Sequence, residues 1–313
     1  LQQRGLPPGG RPELLNLTHG ALIEDIHRSY LEAGSQVVYA NTFGANALKL
    51  EGTGHSVEEV VSAAVTLAKR ACAPYPGARV ALDMGPLGEL LEPMGSLTFE
   101  QACELFAQVA RAGAAAGADL AVIETMTDLY EAKAALLAVK ENTSLPVLVT
   151  MTFDQGGRTF TGCTVVSMAA TLEGLGADAI GLNCSLGPDL LAPLLEQLCR
   201  STTLPVIAKP NAGLPDPVDG HYHMSPREFA ETLAPCLEAG VSIFGGCCGT
   251  TPEYIAALKA ALGDRLPAPR THTPASLVCT PTNPVFLDGV RVIGERINPT
   301  GKKRFQQALL EKD

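Results

Sequence analysis

Seven apolar runs recur along the chain, each leading into a polar stretch and then a segment with apolar residues at helical spacing. The runs lie at residues 36–44, 80–86, 120–125, 147–153, 179–184, 206–210 and 241–245. Most are continuous rather than alternating, the pattern of strands buried on both faces. Helical periodicity covers residues 21–33, 56–73, 98–116, 129–141, 167–175, 189–199, 226–239 and 252–261. Strand and helix in strict alternation predict a parallel sheet with helices packed against it. Several helices stop at an apolar residue followed by glycine, as at Ala33-Gly34, Ala116-Gly117 and Leu175-Gly176. That repeated stop suits a tightly wound α/β barrel of the (β/α)8 TIM type. Seven units are visible where such a barrel has eight, and a helix precedes the first strand. The pattern therefore predicts that the first strand lies upstream of residue 1. The alternative is an open, doubly wound sheet.

In a barrel of this kind, chemistry gathers at the C-terminal ends of the strands. Those ends are polar here: Asn41-Thr42, Asp83, Glu124-Thr125, Thr152, Asn183-Cys184, Lys209 with Asn211, and Cys247-Cys248. The last pair sits in Gly245-Gly246-Cys247-Cys248-Gly249. In a regular strand neighbouring side chains point to opposite faces, but glycines let the backbone turn at a frayed end. Both sulfurs could then reach one soft metal, with Cys184 as third ligand. Three cysteines without a fourth Cys or His at finger-like spacing suggest a three-thiolate zinc site with an open position, as in catalytic zinc. The competing readings are a buried cysteine pair, a vicinal disulfide, or a closed structural zinc completed by His221 or His223. Three thiolates on Zn2+ carry a net charge of −1. An incoming thiol would lose its proton on joining them yet stay nucleophilic, which favours S-alkylation over water activation. Glu124 ends an apolar strand and would bind a substrate cation or pair with Lys209. Asn211 offers a weak amide-oxygen ligand, or else caps its loop. Cys72, Cys103, Cys163, Cys199, Cys236 and Cys279 read as small buried hydrophobes or surface thiols.

The formal charge of −10 argues against nucleic acid or an anionic membrane surface as partner. Mean hydropathy is +0.15, yet the chain has no uninterrupted apolar run of about 18 residues, so no membrane span is expected. Nine cysteines, an odd number with two adjacent, fit a reducing cytoplasm and a metal better than a secreted disulfide scaffold. After Leu262 the periodicity ends. Residues 264–289 are Pro/Thr-rich and read as a linker, and residues 290–313 as the start of a second domain that the chain does not complete. Residues 1–263 then form the barrel.

Gly-Gly-Cys247-Cys248-Gly-Thr, Gly-Leu-Asn-Cys184, Ala-Asn-Thr-Phe-Gly-Ala-Asn46 and Val-Ile-Glu124-Thr together resemble the homocysteine S-methyltransferase family. The resemblance spans about residues 6–262. It implies a (β/α)8 barrel with zinc held by Cys184, Cys247 and Cys248. Homocysteine would reach the zinc through its sulfur, with its amino group near Glu124 and its carboxylate near backbone amides around Gly85. The family also opens with a strand bearing an Asp-Gly-Gly-Met-Gly-Thr-like turn, which this chain lacks. The tail, Val292-Ile-Gly-Glu-Arg-Ile-Asn-Pro-Thr-Gly301, is similar to the opening of the pterin-binding domain that follows this module in multidomain, cobalamin-dependent members. That implies zinc-dependent methyl transfer from methylcobalamin to homocysteine, giving methionine. Methylcobalamin would be carried by a cobalamin-binding domain, and methyltetrahydrofolate by the folate-binding domain, of the same polypeptide. The alternatives are a stand-alone homocysteine methyltransferase using betaine or S-methylmethionine, and a non-catalytic zinc-stabilised barrel scaffold.

Overall fold

The seven apolar runs form seven strands: β1 (Val37–Tyr39), β2 (Arg79–Met84), β3 (Leu120–Met126), β4 (Val147–Met151), β5 (Ala179–Asn183), β6 (Val206–Lys209) and β7 (Val241–Phe244). They make one parallel sheet in sequence order, with Val38 opposite Val80, Val122 opposite Leu148 and Gly181 opposite Ile207. The computed structural model describes residues 10–270, 275–290, 292, 294 and 301–311.

Around the strands lie helices α1 (Leu15–Thr18), α2 (Gly20–Glu32), α3 (Ala47–Leu50), α4 (Val57–Cys72), α5 (Phe99–Ala115), α6 (Leu129–Asn142), α7 (Val165–Gly174), α8 (Pro188–Ser201), α9 (Pro226–Leu233) and α10 (Pro252–Leu262). Their starts follow from capping chemistry. Ser56 accepts from the Glu59 amide at 3.1 Å, and Thr98/Gln101 and Ser225/Glu228 form reciprocal capping boxes. The helical pattern at 226–239 is interrupted. An α-helix ends at Leu233 and a 3-10 turn runs over Ala234–Ala239, because Pro235 supplies no N–H to continue the α ladder.

The main core lies between sheet and helices, where Leu82, Ile123, Val149, Leu182 and Ala208 are fully buried. A second, small cluster of Ala81, Leu120 and Val122, with Tyr39 and Leu148 against it, fills the other face of the sheet. The sheet is curled, since Lys209 on β6 reaches Tyr39 on β1 and Glu124 on β3. No pairing joins β7 to β1 among the described residues, and the strand expected upstream has no counterpart there. Burial responds to that seam: β2 to β6 are almost wholly buried, whereas Val37 and Ser242 on the two edge strands are exposed. The helices draw together where the strands do not. Tyr30 of α2 donates its hydroxyl to the Thr250 carbonyl ahead of α10, at 3.4 Å.

The segment read as a linker contains an antiparallel hairpin, β8 (Leu277–Cys279) and β9 (Pro284–Phe286), turned by Thr280–Asn283. It docks on the barrel, where the Thr164 amide bonds Pro281 O at 3.1 Å and Arg158 bonds Thr282 O at 3.1 Å. Much of the apolar run and loop read at 290–301 lies outside the described residues. Lys303–Glu311 forms an exposed helix, α11. No helix among the described residues is long and apolar enough to cross a membrane.

One buried group gives a pH signature. His27 on α2 is 7% exposed and its Nε2 has no partner among the described residues. Burial lowers its pKa from 6.5 to about 4, against a smaller opposing effect of Glu24. The unfolded chain therefore binds more protons between those values, so this contribution to stability is lost as pH falls from 6.5 towards 4. The full loss is on the order of 3 kcal/mol. Glu131 opposes it: burial raises its pKa from 4.5 to about 7, so its contribution is lost as pH rises through that range. The expected result is that a His27→Leu variant flattens the His27 slope, read as the wild-type minus variant difference in denaturant midpoint at pH 7 and pH 5.

Candidate functional site

Three backbone devices bring the sulfurs together. At the end of β5, Cys184 and Ser185 both adopt left-handed conformations, with φ of +61° and +56°. Non-glycine residues accept this conformation only where the surroundings impose it. The surroundings here are specific. Asn183 Oδ1 accepts from the Thr125 amide at 3.0 Å and Thr150 Oγ1 at 2.8 Å, its Nδ2 donates to Thr125 Oγ1 at 2.8 Å, and the Cys184 amide bonds Lys209 O at 3.1 Å. After β7, the Cys247 amide bonds Pro210 O at 2.9 Å and the Cys248 carbonyl accepts from the Ala212 amide at 2.9 Å. Gly249, at φ +80°, then lets the chain pass beneath Tyr222, whose ring would lie 2.4 Å from an added Cβ.

The result is that Cys184, Cys247 and Cys248 place their sulfurs within 4.8 Å of one another, with Cys184 and Cys248 3.8 Å apart. Tetrahedral zinc with bonds of about 2.3 Å sets neighbouring sulfurs about 3.8 Å apart. The donor set and spacing therefore fit a soft divalent cation such as zinc. No disulfide joins any of the nine cysteines in this structure, Cys247 and Cys248 included. Cys184 and Cys247 are half-buried and Cys248 is exposed, so one side of the cluster faces solvent. The electrostatics agree. Hydrogen bonds from Cys247 and Cys248, then from the Ser185 amide and Asn211, hold the Cys184 thiol far below the usual range. The neighbouring sulfur pushes Cys247 and Cys248 upward. The chain alone thus favours one thiolate of the three, and a full thiolate set calls for a cation.

Glu124 and Lys209 form a buried ion pair. Lys209 Nζ also lies 3.0 Å from Tyr39 Oη and 4.3 Å from the centre of that ring. Burial opposes the Lys209 charge, but Glu124 and Tyr39 outweigh it and hold the ammonium firmly protonated. Asn211 acts as the loop cap: its Oδ1 accepts from the Cys248 amide at 3.1 Å. The Gly85 amide bonds Phe43 O at 3.0 Å, and the Phe43 ring occupies the space that a Cβ would need. The next amide, Leu87, is taken by Glu131 at 2.7 Å. His221 and His223 are exposed, and His223 pairs with Asp219 at 2.9 Å, so neither joins the sulfur cluster. Sequence reasoning missed Tyr222, whose side chain bonds Cys248, and Tyr39. Tyr222 sits in an aperiodic Gly/Pro-rich loop with no pattern to mark it.

A family model described as homocysteine S-methyltransferase matches residues 2–262. The chain belongs to the homocysteine S-methyltransferase family. Methionine synthases of Mycobacterium tuberculosis and Mycobacterium leprae are each 33% identical to it, over 99% of this chain. The chain spans 27% of the length of these relatives. Among solved structures, the metallated form of the Escherichia coli homocysteine methyltransferase MmuM matches with a TM-score of 0.71 and 25% identity, covering 83% of this chain and 91% of that one. Its oxidised form matches with a TM-score of 0.67 and 26% identity, over 79% of this chain and 86% of that one. The architecture is accordingly of the TIM-barrel class.

Proposed function

We propose that this chain is the homocysteine-activating module of a cobalamin-dependent methionine synthase, with Cys184, Cys247 and Cys248 holding zinc. The observation that carries the reading is the convergence of three sulfurs from two strand ends, open on one side, in a homocysteine methyltransferase barrel. Zinc, when bound there, stabilises thiolate over thiol in an incoming fourth sulfur at neutral pH. The chain's own residues fix the approach. Asn211 and Tyr222 position the Cys248 segment, and Asn183 positions Cys184. Glu124 and Lys209, paired with each other, stand at the strand ends beside which the amino-acid part of the substrate would lie. Methylcobalamin, when presented at this opening, would supply the methyl group that the homocysteine thiolate takes up to become methionine. Holding the two reactants together contributes by proximity. Methylcobalamin would come on a separate cobalamin-binding domain, remethylated from methyltetrahydrofolate on the domain that begins near residue 290. The length of the relatives supports this division, since the chain covers 27% of each. Free thiols throughout fit a cytoplasmic setting.

X-ray absorption at the zinc edge tests the reading. A shell of three sulfurs and one lighter atom, becoming four sulfurs on adding homocysteine, is expected. A shell unchanged by homocysteine would instead mark a structural zinc scaffold. Turnover with free methylcobalamin, against S-methylmethionine or betaine, then decides the methyl donor.

A further inference from the structure

At the polar ends of the strands, the barrel interior holds more carboxyl groups than cations. Asp83, the penultimate residue of β2, is 7% exposed, and its Oδ1 has no hydrogen-bond partner among the described residues. Glu124 on β3 lies close enough to act on it electrostatically, as do Lys209 and Glu13. The ammonium of Lys209 is already committed to Glu124 and to the Tyr39 hydroxyl. Glu13 is likewise engaged, accepting from the Gly44 amide at 2.7 Å. With Asp83 and Glu124 ionised, their local group with Lys209 is left one positive charge short of balance. Buried acceptors are almost always paired, and an orphan one calls for a donor that belongs there. Burial first, then the Glu124 charge, pushes Asp83 well above the usual carboxylate range, so it favours a proton until another cation arrives.

We propose that Asp83 is a specificity-determining residue, its free Oδ1 accepting a hydrogen bond from the α-ammonium group of the thiol substrate. This rests on the reading of the chain as a homocysteine-binding module. An ammonium group has three donors and one positive charge, which meets both the missing hydrogen bond and the missing charge. Glu124 alone does not meet that need, because Lys209 already neutralises it. Asp83 therefore separates an amino-acid thiol from a thiol of the same length without an amino group, whereas the cysteine cluster recognises only the sulfur.

The experiment compares wild type, Asp83→Asn and Asp83→Ser as the zinc-loaded full chain, titrated calorimetrically with homocysteine and with its deaminated analogue 4-mercaptobutanoate. Both variants are expected to bind homocysteine roughly ten- to a hundredfold more weakly, the effect of losing a hydrogen bond to a charged group, with the analogue almost unchanged. The ligand-free variants should melt no lower than wild type, because removing an orphan buried carboxyl relieves a folding cost. Equal loss for both thiols, no loss for either, or a lower melting temperature in both variants would each overturn the role of Asp83 while leaving the homocysteine reading intact. Failure of the zinc-loaded wild type to bind homocysteine would bring down that reading as well.

Discussion

Cys184→Ser and Cys247→Ser proteins are expected to lose zinc affinity by roughly two to three orders of magnitude. A structural zinc site contributes about 10–16 kcal/mol over four ligands, so one thiolate accounts for about 2.5–4 kcal/mol. The geometry gives no substitute. His221 and His223 face solvent, and the Asn211 oxygen is held by the Cys248 amide. Serine keeps the size but not the soft donor, since its hydroxyl does not ionise at neutral pH. Competition with a chromophoric chelator measures the loss, and methyl transfer should fall in parallel. Full zinc occupancy in both variants at nanomolar free metal would rule out the cluster as the metal centre. The buried cysteines serve as controls. Cys163 is fully buried and burial pushes its thiol up to about 12, so Cys163→Ala should leave zinc binding unaltered.

Lys209→Met should destabilise the fold by roughly 3–5 kcal/mol, the usual cost of leaving one member of a buried ion pair without its partner. The side chains of Lys209 and Glu124 are only 8% and 13% exposed, so solvent screening does little to soften the loss. Methionine matches the aliphatic length of lysine, which separates the charge effect from a cavity. The double variant Glu124→Gln/Lys209→Met should recover most of the stability, because no bare charge then remains inside the curled sheet. Denaturant midpoints for the single and double variants, combined as a double-mutant cycle, give the coupling. Additive losses would mean that the pair is not an energetic unit.

Strand and helix order was legible because the strands are continuous apolar runs and the helices carry caps and glycine stops. Both signals are local and survive in the sequence. The cysteine site was legible for a related reason: Cys184 and the Cys247-Cys248 pair each follow a strand, and parallel strands place their ends on one side. Three features were not legible. The Pro235 break was hidden by apolar spacing that continues through the 3-10 turn. The β8–β9 hairpin was obscured by flanking prolines, although Val278, Val285 and Phe286 have the chemistry of strands. The engagement of the Gly85 and Leu87 amides by Phe43 and Glu131 depends on partners 42 to 44 positions away, which no periodicity reveals. Glu124 could be read from the sequence as a substrate ligand or as the partner of Lys209. The ion pair forms, and only the curl that brings β3 and β6 together across the interior makes it visible.

The docked hairpin also sets the leash on anything attached downstream. A flexible segment covering residues 264–289 would give a following body a root-mean-square reach of about 28 Å. Anchoring at Thr164 and Arg158 removes that slack and moves the pivot to the rim beside α7. Cargo beyond residue 290 would swing from a fixed post, so its visits to the sulfur cluster would be governed by the angle of approach rather than by the length of a tether.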